Sequence, residues 1–204
     1  MIDTVSDMSL SPLADHTAVM RHMDILDGLR LDLKIATDGY PELKNKSPFM
    51  LCCELSRIHG KKGKALSGIF HAASAVYCHE LYFKHIVSSD KYPSIPNGDA
   101  EKLLSHSFGS TGNFFYLVRT LAQGSSNPGF LWLYRKNSIV KNKRILGLAR
   151  LPLYSIPDIN SVTPLMCIDL WEHAYIDNWN RDISGYADAY LRQTDWNTVF
   201  SDPL

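Results

Sequence analysis

The sequence predicts an α+β protein, an N-terminal helical hairpin domain followed by a mixed α/β domain with a small three-stranded antiparallel sheet. Three observations predict it. Apolar residues recur at three- and four-residue spacing up to about Ile86. A turn-rich segment, Ser88 to Gly98, then interrupts the chain. After it come short β-like runs bounded by prolines, asparagines and glycine, which the first half lacks.

The first helix is expected to be capped by Asp15 or Thr17 and to carry Val19, Met20, His22, Met23, Ile25, Leu26, Leu29, Leu31 and Leu33. Asp38-Gly39-Tyr40-Pro41 ends it, and Asn45 to Pro48 continues the loop. Phe49 to His59 reads as a second helix, Gly60-Lys61-Lys62-Gly63 as a loop, and about Leu66 to Ile86 as a third helix. Ser88 to Gly98 is the clearest linker, so the expected domains are 1–90 and 91–204. One or two helices should span Asp99 to Gln123 and stop at Gly124 to Gly129. Strands are expected at Phe130–Arg135, Arg144–Leu151 and Leu165–Leu170. The tail, Ile183 to Phe200, looks helical, anchored by Tyr186, Ala189, Tyr190 and Trp196.

A chain of 204 residues can bury a core without covalent staples. Lys plus Arg number 21, as do Asp plus Glu, and this zero net charge argues against a nucleic-acid partner. The basic run Lys141, Lys143, Arg144 reads as a solvated turn. Cys52, Cys53, Cys78 and Cys167 form no C-x-x-C pair and read as buried, reduced residues. Met1 to Pro12 lacks a basic start and an apolar stretch, and no run approaches the ~20 residues of a membrane span. These features predict a soluble cytoplasmic protein with no membrane partner.

Two patterns carry chemistry. Cys78-His79-Glu80 lies inside the apolar third helix, where His71 and His79 roughly share a face and His85 does not. Taken alone, a helical histidine there is more often a core or surface residue than a ligand. Asp169-Leu170-Trp171-Glu172-His173 places a carboxylate and an imidazole four apart at the end of an apolar strand. Such a pair suits iron, manganese or zinc. Spacing alone equally allows Asp169 to cap a helix whose first turn carries Glu172 and His173.

The segment Thr163 to Tyr175, TPLMCIDLWEHAY, resembles the D-x-W-E-H-A-Y signature of the iron/manganese superoxide dismutases. Phe70 to Phe83, FHAASAVYCHELYF, is similar to the family's helical ligand segment, with His79 on its ligand. GFLWL at Gly129 to Leu133 and Asp195-Trp196 resemble its G-W-x-W-L strand and closing N-W. The resemblance implies one iron or manganese ion per chain, held by His79, Asp169, His173 and a histidine of the first helix. His22 fits that place, at a separation from His79 close to the family's; His16 is the alternative, at the helix start. Arg30, Trp132 and Trp171 are the candidate catalytic residues. The resemblance also implies a homodimer in which Glu172 reaches the partner subunit's His173.

The surroundings of these ligands depart from the family. Ala75 stands where many members place a glutamine, the alternative site near Leu148 to Arg150 has none, and the only glutamines are Gln123 and Gln193. Leu26 and Arg30 replace a histidine and a tyrosine that gate substrate entry, Phe130 replaces a tryptophan, and Ile176 follows H-A-Y unless Tyr175 takes the interface role. Groups beside a metal tune its potential and the acidity of its bound water. Three functions therefore follow as expectations, in this order. The first is conversion of superoxide to oxygen and hydrogen peroxide. The second is a repurposed oxygen-dependent enzyme with Arg30 clamping an organic anion. The third is a non-catalytic binding module.

Overall fold

Asp15 opens the first helix, α1 (His16–Thr37), its carboxylate accepting the Ala18 amide at 2.8 Å. That side chain satisfies one of the free amides every helix start leaves over. Ser47 does the same for α2 (Pro48–Leu55), where Pro48 occupies the first turn and gives up no needed amide. The computed structural model describes residues 9–124, 127–137 and 145–201. The basic run Lys141, Lys143, Arg144 and most of the polar N-terminal stretch, residues 1–8, lie outside them.

The third helix, α3 (Gly60–Lys84), corrects the expected loop: Gly60-Lys61-Lys62-Gly63 is its first turn. Gly60 takes a φ of +69° in open space, whereas Gly63 is there for close packing. A Cβ on Gly63 would stand 2.2 Å from the Ile58 carbonyl oxygen, so only glycine lets the chain fold back on itself at this point. The second helix is correspondingly shorter than expected, ending at Leu55 instead of His59.

Beyond the linker, the expected stretch to Gln123 is two helices, α4 (Gly98–Phe108) and α5 (Thr111–Gln123). Gly109, at φ +87°, breaks them in a conformation costly for any other residue. Strands β1 (Gly129–Lys136), β2 (Leu146–Pro152) and β3 (Val162–Asp169) form one antiparallel sheet in the order β2-β1-β3. In its register Phe130 lies opposite Asp169 and Trp132 opposite Cys167. The fold is thus α+β, helical first and then mixed, with the small three-stranded antiparallel sheet.

Helix α6 (Glu172–Trp179) follows β3 after a two-residue turn. The helical tail is split into α7 (Ile183–Arg192) and α8 (Trp196–Ser201). At the split, Gln193 O accepts from Val87 N at 2.8 Å and Asp195 N donates to His85 O at 2.7 Å, which ties the tail to the end of α3. One continuous buried cluster runs through Leu26, Val76, Leu131, Ile168 and Tyr190. All four cysteines are free; Cys52, Cys78 and Cys167 are buried as expected, whereas Cys53 is half-buried. Among the described residues no helix is long and apolar enough to cross a membrane.

Candidate metal centre

Four elements meet at one point. Helix α1 brings His22, α3 brings His79, the last residue of β3 is Asp169, and the first turn of α6 brings His173. The chain turns sharply after β3 because Asp169 Oδ1 accepts the Trp171 amide at 2.8 Å. Asp169 is thus not the cap of α6; Trp171 holds that position and receives no side-chain cap bond. One carboxylate oxygen fixes the turn into α6, and the other, Oδ2, faces the histidines.

Around that oxygen the Nε2 atoms of His173, His22 and His79 stand at 2.9, 3.2 and 3.4 Å. One donor atom from each of the four residues lies within 4.8 Å of all the others. His22, His79 and Asp169 are at most 4% exposed, and the His173 side chain is 13% exposed. His16 and His71 lie at the surface, and His85 is buried outside the cluster.

The tautomers decide whether a cation fits. His79 Nδ1 is 2.8 Å from the Ala75 carbonyl, which can only accept, so Nδ1 carries the proton and Nε2 a lone pair. That lone pair faces Asp169 Oδ2 at 3.4 Å and His173 Nε2 at 3.3 Å. His173 can relieve its own contact by donating to Oδ2, but His22 Nε2, 3.2 Å from the same oxygen, makes no well-aligned hydrogen bond among the described residues. Buried acceptors crowded in this way repel one another unless a positive charge sits among them. First-row ions hold nitrogen and oxygen donors at about 2.0–2.2 Å, which sets those donors about 3–3.6 Å apart. The donor set and its spacing fit such an ion.

Burial pushes His22 down to about 4 against the pull of Asp169, and burial likewise lowers His79. Burial favours the neutral form of Asp169, yet the contacts from His173 and His22 outweigh it and hold the carboxyl far below the usual range. The carboxylate therefore carries its negative charge beside His22 and His79, both of which burial holds towards the neutral form, the state that binds a cation.

Aromatic rings close the site. Tyr82 and Phe83 lie 5.0 and 4.8 Å from the His22 ring, Phe130 5.5 Å from His79, and Trp171 4.9 Å from His173. Tyr82 and Phe83 are not among the site residues expected from the sequence. Standing three and four residues after His79, they share its helix face, and that spacing was the available signal. Trp132 is fully buried with its indole N–H unpartnered, its ring 6.1 Å from Tyr77. Neither glutamine approaches the cluster: Gln123 is exposed and Gln193 donates to the Val87 carbonyl. Arg150 instead turns its guanidinium to the carbonyls of Leu121, Ala122 and Asn127.

Arg30 is placed differently from the expected substrate-facing cation. Its guanidinium donates to Glu80 Oε1 at 3.0 and 3.2 Å and to Asp27 Oδ1 at 3.0 Å. It follows His22 by two helical turns, about 12 Å along α1. Glu172 is exposed beside His173.

The family model described as iron/manganese superoxide dismutases, C-terminal domain, matches residues 96–202. The chain is 26% identical to a superoxide dismutase [Mn] 2 of Bacillus anthracis over 168 residues, 82% of this chain and 76% of that protein. It is 27% identical to a superoxide dismutase [Fe] of Escherichia coli (strain K12) over 132 residues, 65% of each chain. A superoxide dismutase [Fe] of Plasmodium falciparum is 26% identical over 129 residues, 63% of this chain and 62% of that protein. The family match covers more than half of the chain, and the fold and the four converging donors agree with it. The chain belongs to the iron/manganese superoxide dismutases, as a diverged member of that family.

Proposed function

We propose that His22, His79, Asp169 and His173 hold one iron or manganese ion and that the protein converts superoxide to oxygen and hydrogen peroxide there. The observation that carries this reading is the convergence of three imidazole Nε2 atoms on a single carboxylate oxygen. When bound, the ion would supply one-electron chemistry, taking an electron from one superoxide and returning it with two protons to the next.

The residues of the chain have distinct parts in this proposal. Asp169 supplies the one negative charge, and the Trp171 amide on its Oδ1 keeps Oδ2 aimed inward. The Ala75 carbonyl fixes the His79 tautomer that leaves Nε2 free to ligate. Tyr82, Phe83, Phe130 and Trp171 exclude bulk water and hold the imidazole rings in place. The nearby Tyr82 hydroxyl accepts from Tyr186, and burial raises its pKa, so it is no ready proton source. The protons needed by the second superoxide come from solvent in this reading. Without a glutamine beside the cluster, turnover is expected to be slower than in the relatives.

Arg30 with Glu80 and Asp27 sums to one negative charge, which favours superoxide over an organic anion clamped by Arg30. Its part here is to tie α1 to α3. Glu172, exposed in the first turn of α6, is available to a second copy of the chain, and a homodimer through Glu172 and His173 belongs to the same proposal. Sedimentation showing only monomer at micromolar concentration removes the dimer from it. Pulse radiolysis on protein loaded with iron or with manganese tests the activity. Superoxide decay that depends on protein and exceeds that of the free ion is expected; decay no faster than the free ion's overturns the reading.

A further inference from the structure

A second concave site lies at the start of α5, beside the end of α7 and the linker before α4. It is an open cavity of about 290 Å³, and its walls include Ile95, Pro96, Phe115, Arg119 and Arg192. None of the residues lining it is acidic.

Two cations share one anion at this cavity. Arg119 Nη1 donates to Asp188 Oδ1 and Arg192 Nε donates to Asp188 Oδ2, each at 2.6 Å. The trio carries one net positive charge. Asp188 is 23% exposed and does not line the cavity, whereas Arg119 and Arg192 are 36% and 37% exposed and do. The positive charge therefore faces the opening. Pinning α5 to α7 uses one N–H from each arginine, although a guanidinium has five in a fork that matches carboxylate and phosphate oxygens. Arg192 also lies with its central carbon 5.7 Å from the centre of the Phe115 ring, which holds the cation against an aromatic floor. On the same wall the Thr111 hydroxyl oxygen is buried without a hydrogen-bond partner.

We propose that this cavity binds a small organic anion. Its phosphate or carboxylate head is held by Arg119 and Arg192, and its apolar body packs on Phe115, Ile95 and Pro96. Ion-pairing alone would explain why the two helices are pinned. It would not explain cations turned to an opening whose other walls are apolar. The site shares no residue with the four-residue cluster, so it stands or falls apart from the dismutase reading.

Calorimetric titration of the full chain at low salt tests it, with phenyl phosphate, benzoate and inorganic phosphate as probes. Phenyl phosphate or benzoate should saturate one site per chain with Kd below about 1 mM. Either should bind about fivefold or more tighter than inorganic phosphate, through the apolar wall. The better of the two identifies the head group. Asp188→Asn, which uncovers both cations, should tighten binding, and Arg192→Gln should weaken it about tenfold or more. No saturation by either aromatic anion, or undiminished binding by folded Arg192→Gln, overturns the proposal. Amide shifts in the unmodified protein guard against a variant that does not fold. Gly112 and Phe115 must move on titration with the aromatic anion, and shifts confined to other regions also overturn it.

Discussion

His22 shows what enclosure does to a single imidazole. Tyr82, Phe83 and His173 surround its ring, and burial lowers it to about 4 from an ordinary 6.5. Because the folded value lies below the unfolded one, the unfolded chain takes up more protons between those values. The stability this neutral ring confers is complete above about pH 6.5 and declines as pH falls towards about 4. His79, lowered too, acts in the same direction, while Asp169 would contribute its loss only below the ordinary carboxylate range. Urea unfolding of metal-free protein at pH 7 and pH 4.5 should differ by roughly 3 kcal/mol. A flat profile across that interval means that His22 is hydrated in solution. At this scale the sequence was informative wherever the chemistry is local. Asp169 and His173 stand four apart in TPLMCIDLWEHAY, and both belong to the cluster. It suggested a substrate-facing Arg30 and hid its partner Glu80, which lies fifty residues further along and on another helix.

Among the elements, α3 carries the heaviest demands, since it supplies His79, its ring-packing neighbours Tyr82 and Phe83, and Glu80 for Arg30. Its start depends on Gly63. With the Ile58 carbonyl oxygen only 2.2 Å from where a Cβ would stand, Gly63→Ala must push the preceding loop away or unwind the first turn. A loss of about 2–4 kcal/mol is expected in chemical denaturation, against a gain of about 1 kcal/mol at an unobstructed helical glycine. Gly68, which has open space around it, is the control: Gly68→Ala should be neutral or stabilising. The same residue explains why the start of α3 was not legible. Two glycines and two lysines have the local composition of a loop, and nothing near them in sequence reveals the carbonyl that requires a glycine. The break at Gly109 was equally hidden within a stretch read as one or two helices, whereas residue type alone narrowed the first cap to Asp15 or Thr17, of which Asp15 is the one used.

Over the whole molecule, the cluster joins the two halves of the chain, with two donors from the helical part and two from the mixed part. An ion bound there adds stability by mass action, about 4 kcal/mol at a thousandfold excess over its Kd. Stripping it with a chelator should lower the midpoint of thermal unfolding by on the order of 10 °C. Restoring manganese or iron should return it. An unchanged midpoint on stripping and reloading would falsify the assignment of these four residues as ligands. The α+β class was legible because the change from helical to alternating pattern spans whole segments. The sheet order β2-β1-β3 was not, since nothing in the three runs says which of them lies in the centre.

The two-and-two origin of the cluster also sets a timetable for synthesis. Asp169 leaves the ribosome about 90 residues after His79, which at ordinary elongation rates is a delay of about 5–18 s. During that interval a nascent chain owns two imidazoles and no carboxylate from the cluster. Such a pair holds an ion poorly, so whichever metal is abundant while the helices emerge has no lasting claim on the site. With the proposed ligands, the choice of ion passes to the finished cavity, whose last donor closes in the first turn of α6.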